Sequence, residues 1–255
     1  MKHRIPIELG IRGEEKKMKT ALITGGSRGI GAEMVRQFAK AGYRTAFTYA
    51  RSGAQALALA AETGALAICC DARSEEETRK MAEKVLGDFH HLDVLICNAG
   101  TSYTGLVQDM TAAEWDDLFA LHVRGAFLAA REFLPGMISR REGSILFISS
   151  MWGQVGASCE AAYSACKAAL IGFAKALAKE AGPSHVRVNC IAPGVIETDM
   201  LKEYSPADLS ALSDETPLGR LGTPYDVARA ALFLSGKDAA FITGQVLGVN
   251  GGFIV

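Results

Sequence analysis

Tyr163 and Lys167 stand one after the other at a spacing of four in Glu160-Ala161-Ala162-Tyr163-Ser164-Ala165-Cys166-Lys167, where an alanine-rich segment begins. On a helix that spacing is about one turn, so both side chains share a face, roughly 6 Å apart along the axis. A phenol ordinarily titrates near pH ~10, and a neighbouring ammonium and a cationic nicotinamide both favour the phenolate and lower that value. Upstream, an apolar run ends in Ser149-Ser150 and gives way to a glycine-broken loop. A hydroxyl at a strand end, a phenol and an ammonium brought to one point suit a carbonyl oxygen that gains negative charge as its carbon takes up hydride. Tyr163 would donate the proton, Ser150 would hydrogen-bond the oxygen and Lys167 would tune the phenol. On spacing alone, a Tyr and a Lys one turn apart are more often an exposed helix pair.

Holding three such groups together takes a scaffold. From Thr20 onward, short apolar runs alternate with longer helical patterns: Ala21 to Thr24, Thr45 to Tyr49, Ala65 to Cys70, Val94 to Asn98, Ser144 to Ser149, Val186 to Ala192 and Val246 to Val249. The runs lack polar alternation, so they need cover on both faces, and crossover helices supply it. The expected fold is α/β, a doubly wound parallel sheet in a single domain, with ligands gathered at the C-terminal strand ends. Helices are expected over Gly29 to Ala41, Ser74 to Leu86, Thr111 to Met137, Ala161 to Glu180 and Pro224 to Leu234. Thr111-Ala-Ala-Glu114 offers a capping box, and Gly42 and Gly182 sit where helices stop. The polar, proline-bearing stretch 196–218 reads as a flap over a site. Residues 1–18 break both periodicities and read as a loosely held extension or a misplaced start.

At the first strand-to-helix junction lies Thr24-Gly25-Gly26-Ser27-Arg28-Gly29-Ile30-Gly31, where glycines let the backbone turn tightly and let a pyrophosphate approach helix N-terminal amides. The spacing departs from the commoner G-x-G-x-x-G/A pattern, whose last position is Met34 here. Its place on the first βα unit favours dinucleotide binding. About 20 residues on, an NAD site would present an acid to the ribose 2′-hydroxyl. The second strand instead ends Tyr49-Ala50-Arg51-Ser52, so Arg51 and Arg28 are candidates to clamp a 2′-phosphate, and NADPH is favoured over NAD. The alternative is that both are solvated surface charges. Asp71 and Ala72 follow the third strand and Asn98-Ala99-Gly100 the fourth, where adenine or ribose would lie. Asp71 would accept from the adenine amino group, or merely cap the next helix.

Charge is almost balanced, with 27 Lys and Arg against 28 Asp and Glu, so no broad basic face is forced, which argues against nucleic acid or membrane as partner. No apolar run is long enough for a membrane span, and the start lacks a signal-peptide core, so a cytoplasmic location is expected. The six cysteines show neither C-x-x-C pairs nor ligand spacing, so no metal or disulfide framework is expected.

Taken together, Thr24 to Gly31, Asn98-Ala99-Gly100, Ser150, Tyr163 with Lys167, Pro193-Gly194 with Thr198, and the tail from Pro217-Leu-Gly-Arg-Leu-Gly222 through Gly244-Gln-Val-Leu-Gly-Val-Asn-Gly-Gly252 resemble the short-chain dehydrogenase/reductase family. The resemblance runs from Lys19 to Val255. It implies a Rossmann-type seven-stranded sheet and hydride transfer, with Ser150 polarising a carbonyl and Tyr163 as acid/base. By the same likeness Lys167 binds the nicotinamide ribose, Ile196 and Thr198 lie near the carboxamide, and a homotetramer forms partly through the helices over 111–137 and 161–180. One departure stands out: where the family usually has asparagine, this chain has His122. The family asparagine anchors a proton relay largely by its backbone carbonyl, which His122 keeps, so an altered pH dependence is expected; alternatively His122 is a packed helix residue.

Within the family the chain looks most like the 3-oxoacyl-[acyl-carrier-protein] reductases, whose acidic carrier would meet Arg140 and Arg141. The insert from Met151 to Glu160 also resembles the reductases of the 5-aminopentanone modification of elongation factor P. There an aromatic face at Trp152 and a carboxylate at Glu160 would suit a substrate ammonium. A third reading, a catalytically idle NADP-binding sensor or scaffold, is suggested only by His122.

Overall fold

The computed structural model describes residues 18–255 apart from Glu203. Of the expected extension over residues 1–18, only Met18 is therefore described, and its side chain is exposed. From there the strands are β1 (Thr20–Ile23), β2 (Arg44–Tyr49), β3 (Leu66–Cys69), β4 (Val94–Cys97), β5 (Gly143–Ile148), β6 (Val186–Pro193) and β7 (Val246–Val249). All seven pair in parallel in the order β3-β2-β1-β4-β5-β6-β7. Register at the centre sets Leu22 beside Ala46 on one side and Leu95 on the other.

The helices are α1 (Gly29–Lys40), α2 (Gly53–Thr63), α3 (Glu75–Phe89), α4 (Ala112–Phe119), α5 (Gly125–Arg140), α6 (Trp152–Val155), α7 (Ala161–Ala181), α8 (Pro206–Glu215) and α9 (Pro224–Ser235). Why the strands read as unbroken apolar runs is plain from their burial. Leu22, Leu95, Ile145 and Phe147 point to one core with α3, α5 and α7, while Ala21, Ile23, Ile96, Leu146 and Ile148 point to another with α1, α2 and α9. With a period of two and both faces covered, most positions are apolar, and the polar exceptions such as Thr45, Thr48, Ser144 and Asn189 are buried too. Among the described residues no helix is long and apolar enough to cross a membrane.

The sheet order reverses between β1 and β4. There the chain leaves β1 to one side and β4 to the other, opening a crevice beyond the strand ends where open α/β sheets bind ligands.

Three local expectations are corrected. A helix not foreseen, α2, joins β2 to β3; it buries only Ala56 and Leu59, so its apolar periodicity is thin. The single helix expected over 111–137 is two, α4 and α5, joined by a π turn over Ala120–Arg124 in which the Gly125 N–H bonds back to the Ala120 carbonyl. Gly182 is itself helical at φ −53, and the left-handed stop falls at His185 after one 3-10 turn. The Thr111–Glu114 capping box is formed, and Gly42 at φ +86 follows α1 as expected.

Candidate active site

The dinucleotide end is built where the glycine loop meets the loop after β4. Thr24 Oγ1 accepts from the backbone N–H groups of Asn98 and Ala99 at 3.0 and 3.1 Å, and Asn98 Nδ2 donates to the carbonyls of Thr24 and Gly25 at 3.0 and 3.1 Å. Asn98 thus bridges strands instead of capping a helix. Gly31 is obligatory in this packing, because a Cβ there would lie 2.2 Å from the Gly25 carbonyl oxygen and 2.7 Å from Asn98 Nδ2. The turn at Gly25 has φ +64, a region glycine enters without strain. Ser27, Arg28, Gly29 and Ile30 lead into the first turn of α1, with Arg28 at its N-cap. Thr198 closes over the same loop, since a Cβ on Gly29 would meet its methyl at 3.4 Å.

This cradle fits a dinucleotide: free helix-start amides, a loop that admits no side chain at Gly31, and cations in place of an acid at the end of β2. Arg28 and Arg51 are exposed, and among the described residues neither forms an ion pair. Arg51 is near enough to Asp71 to help hold its carboxyl below the usual carboxylate range, although Arg73 is the main cause. Asp71 itself is bound bidentately by Arg73 at 3.0 and 2.8 Å, and Arg73 extends to Asp117 of α4 at 2.7 Å. The helix it might have capped starts instead from Ser74, which accepts from the Glu77 N–H. Ala72 packs beneath Gly125 of α5, where a Cβ would meet the Ala72 carbonyl at 2.9 Å.

On the opposite side of the crevice β6 ends at Pro193, whose carbonyl accepts from the Met151 N–H at 2.9 Å. Gly194 follows against Asn250, and Ile196 is buried and bridged to Gly222. The stretch expected as a flap carries α8, with a capping box at Ser205 and Asp208.

The catalytic candidates converge from β5 and α7. Ser150, buried at the end of β5, lies near enough to the Tyr163 phenol to lower its pKa and accepts from the Trp152 N–H at 3.2 Å. Lys167 is buried, donates from Nζ to the Ile148 carbonyl at 2.9 Å and lies 5.4 Å from the centre of the Tyr163 ring. The exposed-pair alternative for Tyr163 and Lys167 is thereby excluded. Burial pushes the Lys167 ammonium down to about 8.

The lowering expected of Tyr163 concerns the site with a cationic nicotinamide beside it, whereas in the protein alone burial dominates. Burial raises the phenol to about 12, outweighing the opposite pull of Ser150, and nearby Glu160 adds to the rise. The Lys167 ammonium, bonded to the Ile148 carbonyl, lies alongside the ring. The phenol is therefore protonated at neutral pH, which is the form a proton donor needs.

His122 is also corrected. Burial, then the charge of Lys167, push its imidazole down to about 3, so it is neutral across working pH and the expected change of pH dependence does not arise from its titration. It lies in the π turn, 3% exposed, with Nε2 2.8 Å from the Thr101 carbonyl. Its Nδ1 has no partner, which for a buried acceptor costs about 1–3 kcal/mol.

Of the two candidates for a substrate ammonium, Glu160 is near enough to Tyr163 to help raise its phenol. Trp152 meets Phe253 of the tail edge-on at 6.0 Å, and the half-buried Glu160 carboxyl is raised by burial and pairs with no cation among the described residues. Two supporting residues escaped the sequence reading. Thr24 was legible as the last residue before the glycines, and Ser149, whose hydroxyl donates to the Lys167 carbonyl at 2.8 Å, as the first of a serine doublet at a strand end. Among the described residues, no group of three or more His, Cys, Asp or Glu is placed to hold a metal.

Comparison with known proteins agrees with this geometry. A family model described as "Enoyl-(Acyl carrier protein) reductase" matches residues 25–254. A Bacillus subtilis protein named "Uncharacterized oxidoreductase YmfI" is 38% identical over 241 residues, covering 92% of this chain and 98% of the relative. The 3-oxoacyl-[acyl-carrier-protein] reductase FabG of Staphylococcus aureus is 37% identical over 242 residues, 93% and 98% of the two chains. Its namesake from Aquifex aeolicus is 38% identical over 240 residues, 92% and 96%. With a parallel sheet of this order and matches over nine-tenths of its length, the chain belongs to the short-chain dehydrogenase/reductase family and is an NAD(P)-dependent oxidoreductase.

Proposed function

We propose that this protein uses NADPH to reduce a ketone to a secondary alcohol, and that the ketone is a 3-oxoacyl thioester on a small molecule or an acyl carrier protein. The observation that carries the reading is the convergence of Ser150, a protonated Tyr163 and a buried Lys167 at one strand end. Bound reduced nicotinamide supplies the hydride. Ser150 hydrogen-bonds the substrate oxygen, Tyr163 delivers its proton to that oxygen as charge develops, and Lys167 stabilises the resulting phenolate. Gly25, Ser27, Gly29, Ile30, Gly31, Asn98, Ala99, Gly100, Pro193, Gly194, Ile196 and Thr198 form the dinucleotide site, with Arg28 and Arg51 selecting the 2′-phosphate.

Relatives named 3-oxoacyl reductases support the thioester. A second reading, an aminoketone such as the 5-aminopentanone group on elongation factor P, is supported by Glu160, half-buried near Tyr163 and without a cation partner among the described residues, where a substrate ammonium would pair. The idle sensor has less support, because Ser150, Tyr163 and Lys167, which the chemistry would use, are all present. Exposed Trp115 and Phe127 on α4 and α5 support a homotetramer joined through those helices, and a cytoplasmic site of action is part of the same reading.

A panel of an acetoacetyl thioester and a short aminoketone, followed by NADPH consumption, separates these readings. Turnover of the thioester with Glu160→Gln at wild-type rate supports the first; turnover of the aminoketone, weakened by Glu160→Gln, supports the second. No turnover of either, with NADPH still bound, supports the sensor.

A further inference from the structure

Asp71 stands two residues beyond β3, close enough to Arg51 for that guanidinium to help hold its carboxyl low. On the proposed reading Arg51 meets the 2′-phosphate, and the ribose that bears this phosphate also bears adenine, so Asp71 lies on the adenine side. Arg73 grips the same carboxylate: Nε donates to Oδ1 at 3.0 Å, Nη2 to Oδ2 at 2.8 Å, and the Arg73 backbone N–H to Oδ1 at 3.0 Å. The guanidinium also reaches across to α4, where Nη1 donates to both oxygens of Asp117 at 2.7 and 2.9 Å. The main chain is held as well. The Arg73 carbonyl accepts from Arg124 Nη1 at 3.0 Å, and the Asp71 N–H donates to the Glu77 carboxylate at 2.8 Å. A single exposed ion pair contributes little, but a planar fork on one carboxylate, with its third nitrogen anchored on another, fixes an orientation. Among the described residues Oδ1 takes two donors at 3.0 Å, while Oδ2 takes one close donor and Nε only at 3.2 Å. A lone pair of Oδ2 is thereby left open to a further donor.

We infer that Arg73 is a positioning residue for the adenine end of the coenzyme: braced on Asp117 of α4, it sets the Asp71 carboxylate so that Oδ2 accepts from the adenine amino group. The inference rests on the NADPH reading above. Without the brace the Asp71 side chain turns freely and presents that acceptor only part of the time, so the amino group is read weakly.

The test is a fluorescence titration with NADPH and with its hypoxanthine analogue, in which a carbonyl oxygen replaces the adenine amino group. Wild type is expected to bind NADPH roughly tenfold tighter than the analogue, the effect of one charge-assisted hydrogen bond. Arg73→Ala is expected to lose most of that ratio, chiefly by binding NADPH more weakly. In an Asp71→Ala background, adding Arg73→Ala is expected to change NADPH affinity less than about twofold, because its effect passes through that carboxylate. A merely structural role for Arg73 would weaken both ligands alike and leave the ratio intact, which overturns the inference. So does a wild-type ratio near one, or a full Arg73→Ala effect in the absence of the Asp71 carboxylate. Should Arg73→Ala fail to fold, Arg73→Lys takes its place: it keeps the charge without the fork, so a smaller loss of the ratio is expected and an intact ratio overturns the inference. A wild type that binds neither NADPH nor the analogue refutes the coenzyme reading itself, an outcome distinct from NADPH binding that ignores the amino group.

Discussion

Lys167 concentrates the electrostatics of the site in one side chain. Its ammonium, fully enclosed, titrates near 8 instead of 10.5 because burial disfavours charge. Proton delivery leaves negative charge on Tyr163, which a charged Lys167 stabilises, so kcat for reduction is expected to hold level below pH 8 and to fall as pH rises through about 8; a flat profile to pH 10 in a pH series would contradict this. The stability consequence has the opposite sign. Between about 8 and 10.5 the unfolded chain binds more protons at this residue than the folded one, so its contribution to stability rises with pH across that window and is least favourable below it. Lys167→Met should accordingly abolish turnover while raising stability at pH 7 by about 1–2 kcal/mol, read by denaturant unfolding. Ser150, Tyr163 and Lys167 were named from residue types together with a family resemblance, since spacing alone favoured an exposed pair. Proximity along a helix was visible in the sequence, whereas the depth of burial and the diversion of Lys167 to Ile148 depend on how α7 lies against β5.

At the level of elements, the strands were readable because burial on both faces leaves few polar positions to mislead, and their ends shift by only a residue or so. The helices were less so. Residues 53–63 offer mainly alanine, with Leu57 exposed and only Ala56 and Leu59 inward, too little periodicity to separate a helix from a loop. The π turn was hidden for another reason: Ala120-Leu121-His122-Val123-Arg124 carries no proline or glycine, and the bulge follows from fitting His122 between Gly100 and Tyr163. The helix start before it is under local control. Thr111 Oγ1 caps the Glu114 N–H while the Glu114 carboxylate accepts from the Thr111 N–H, so Thr111→Ala should cost about 0.5–2 kcal/mol in unfolding with kcat nearly unchanged. A large loss of activity would mean that α4 transmits its position to the π turn.

For the whole molecule, the sheet order brings β1, β2 and β4 ends to the dinucleotide side and β5 and β6 ends to the chemistry side of one crevice. On the proposed reading, coenzyme choice belongs to the β2 end and bond chemistry to the β5 end, so the two should separate under mutation. Arg51→Ala is expected to raise KM for NADPH several-fold, in line with loss of about 1 kcal/mol or more of charge-assisted bonding, while leaving KM for NADH and kcat little changed. Equal effects on both coenzymes in steady-state kinetics would remove Arg51 from the 2′-phosphate site. The account stands or falls on proton delivery by Tyr163. Its most direct test is the steady-state rate of NADPH consumption by Tyr163→Phe with whichever ketone the wild type reduces, alongside a fluorescence titration of NADPH. The expected result is a loss of roughly 100-fold or more in kcat with NADPH affinity preserved; turnover by Tyr163→Phe at the wild-type rate would contradict it.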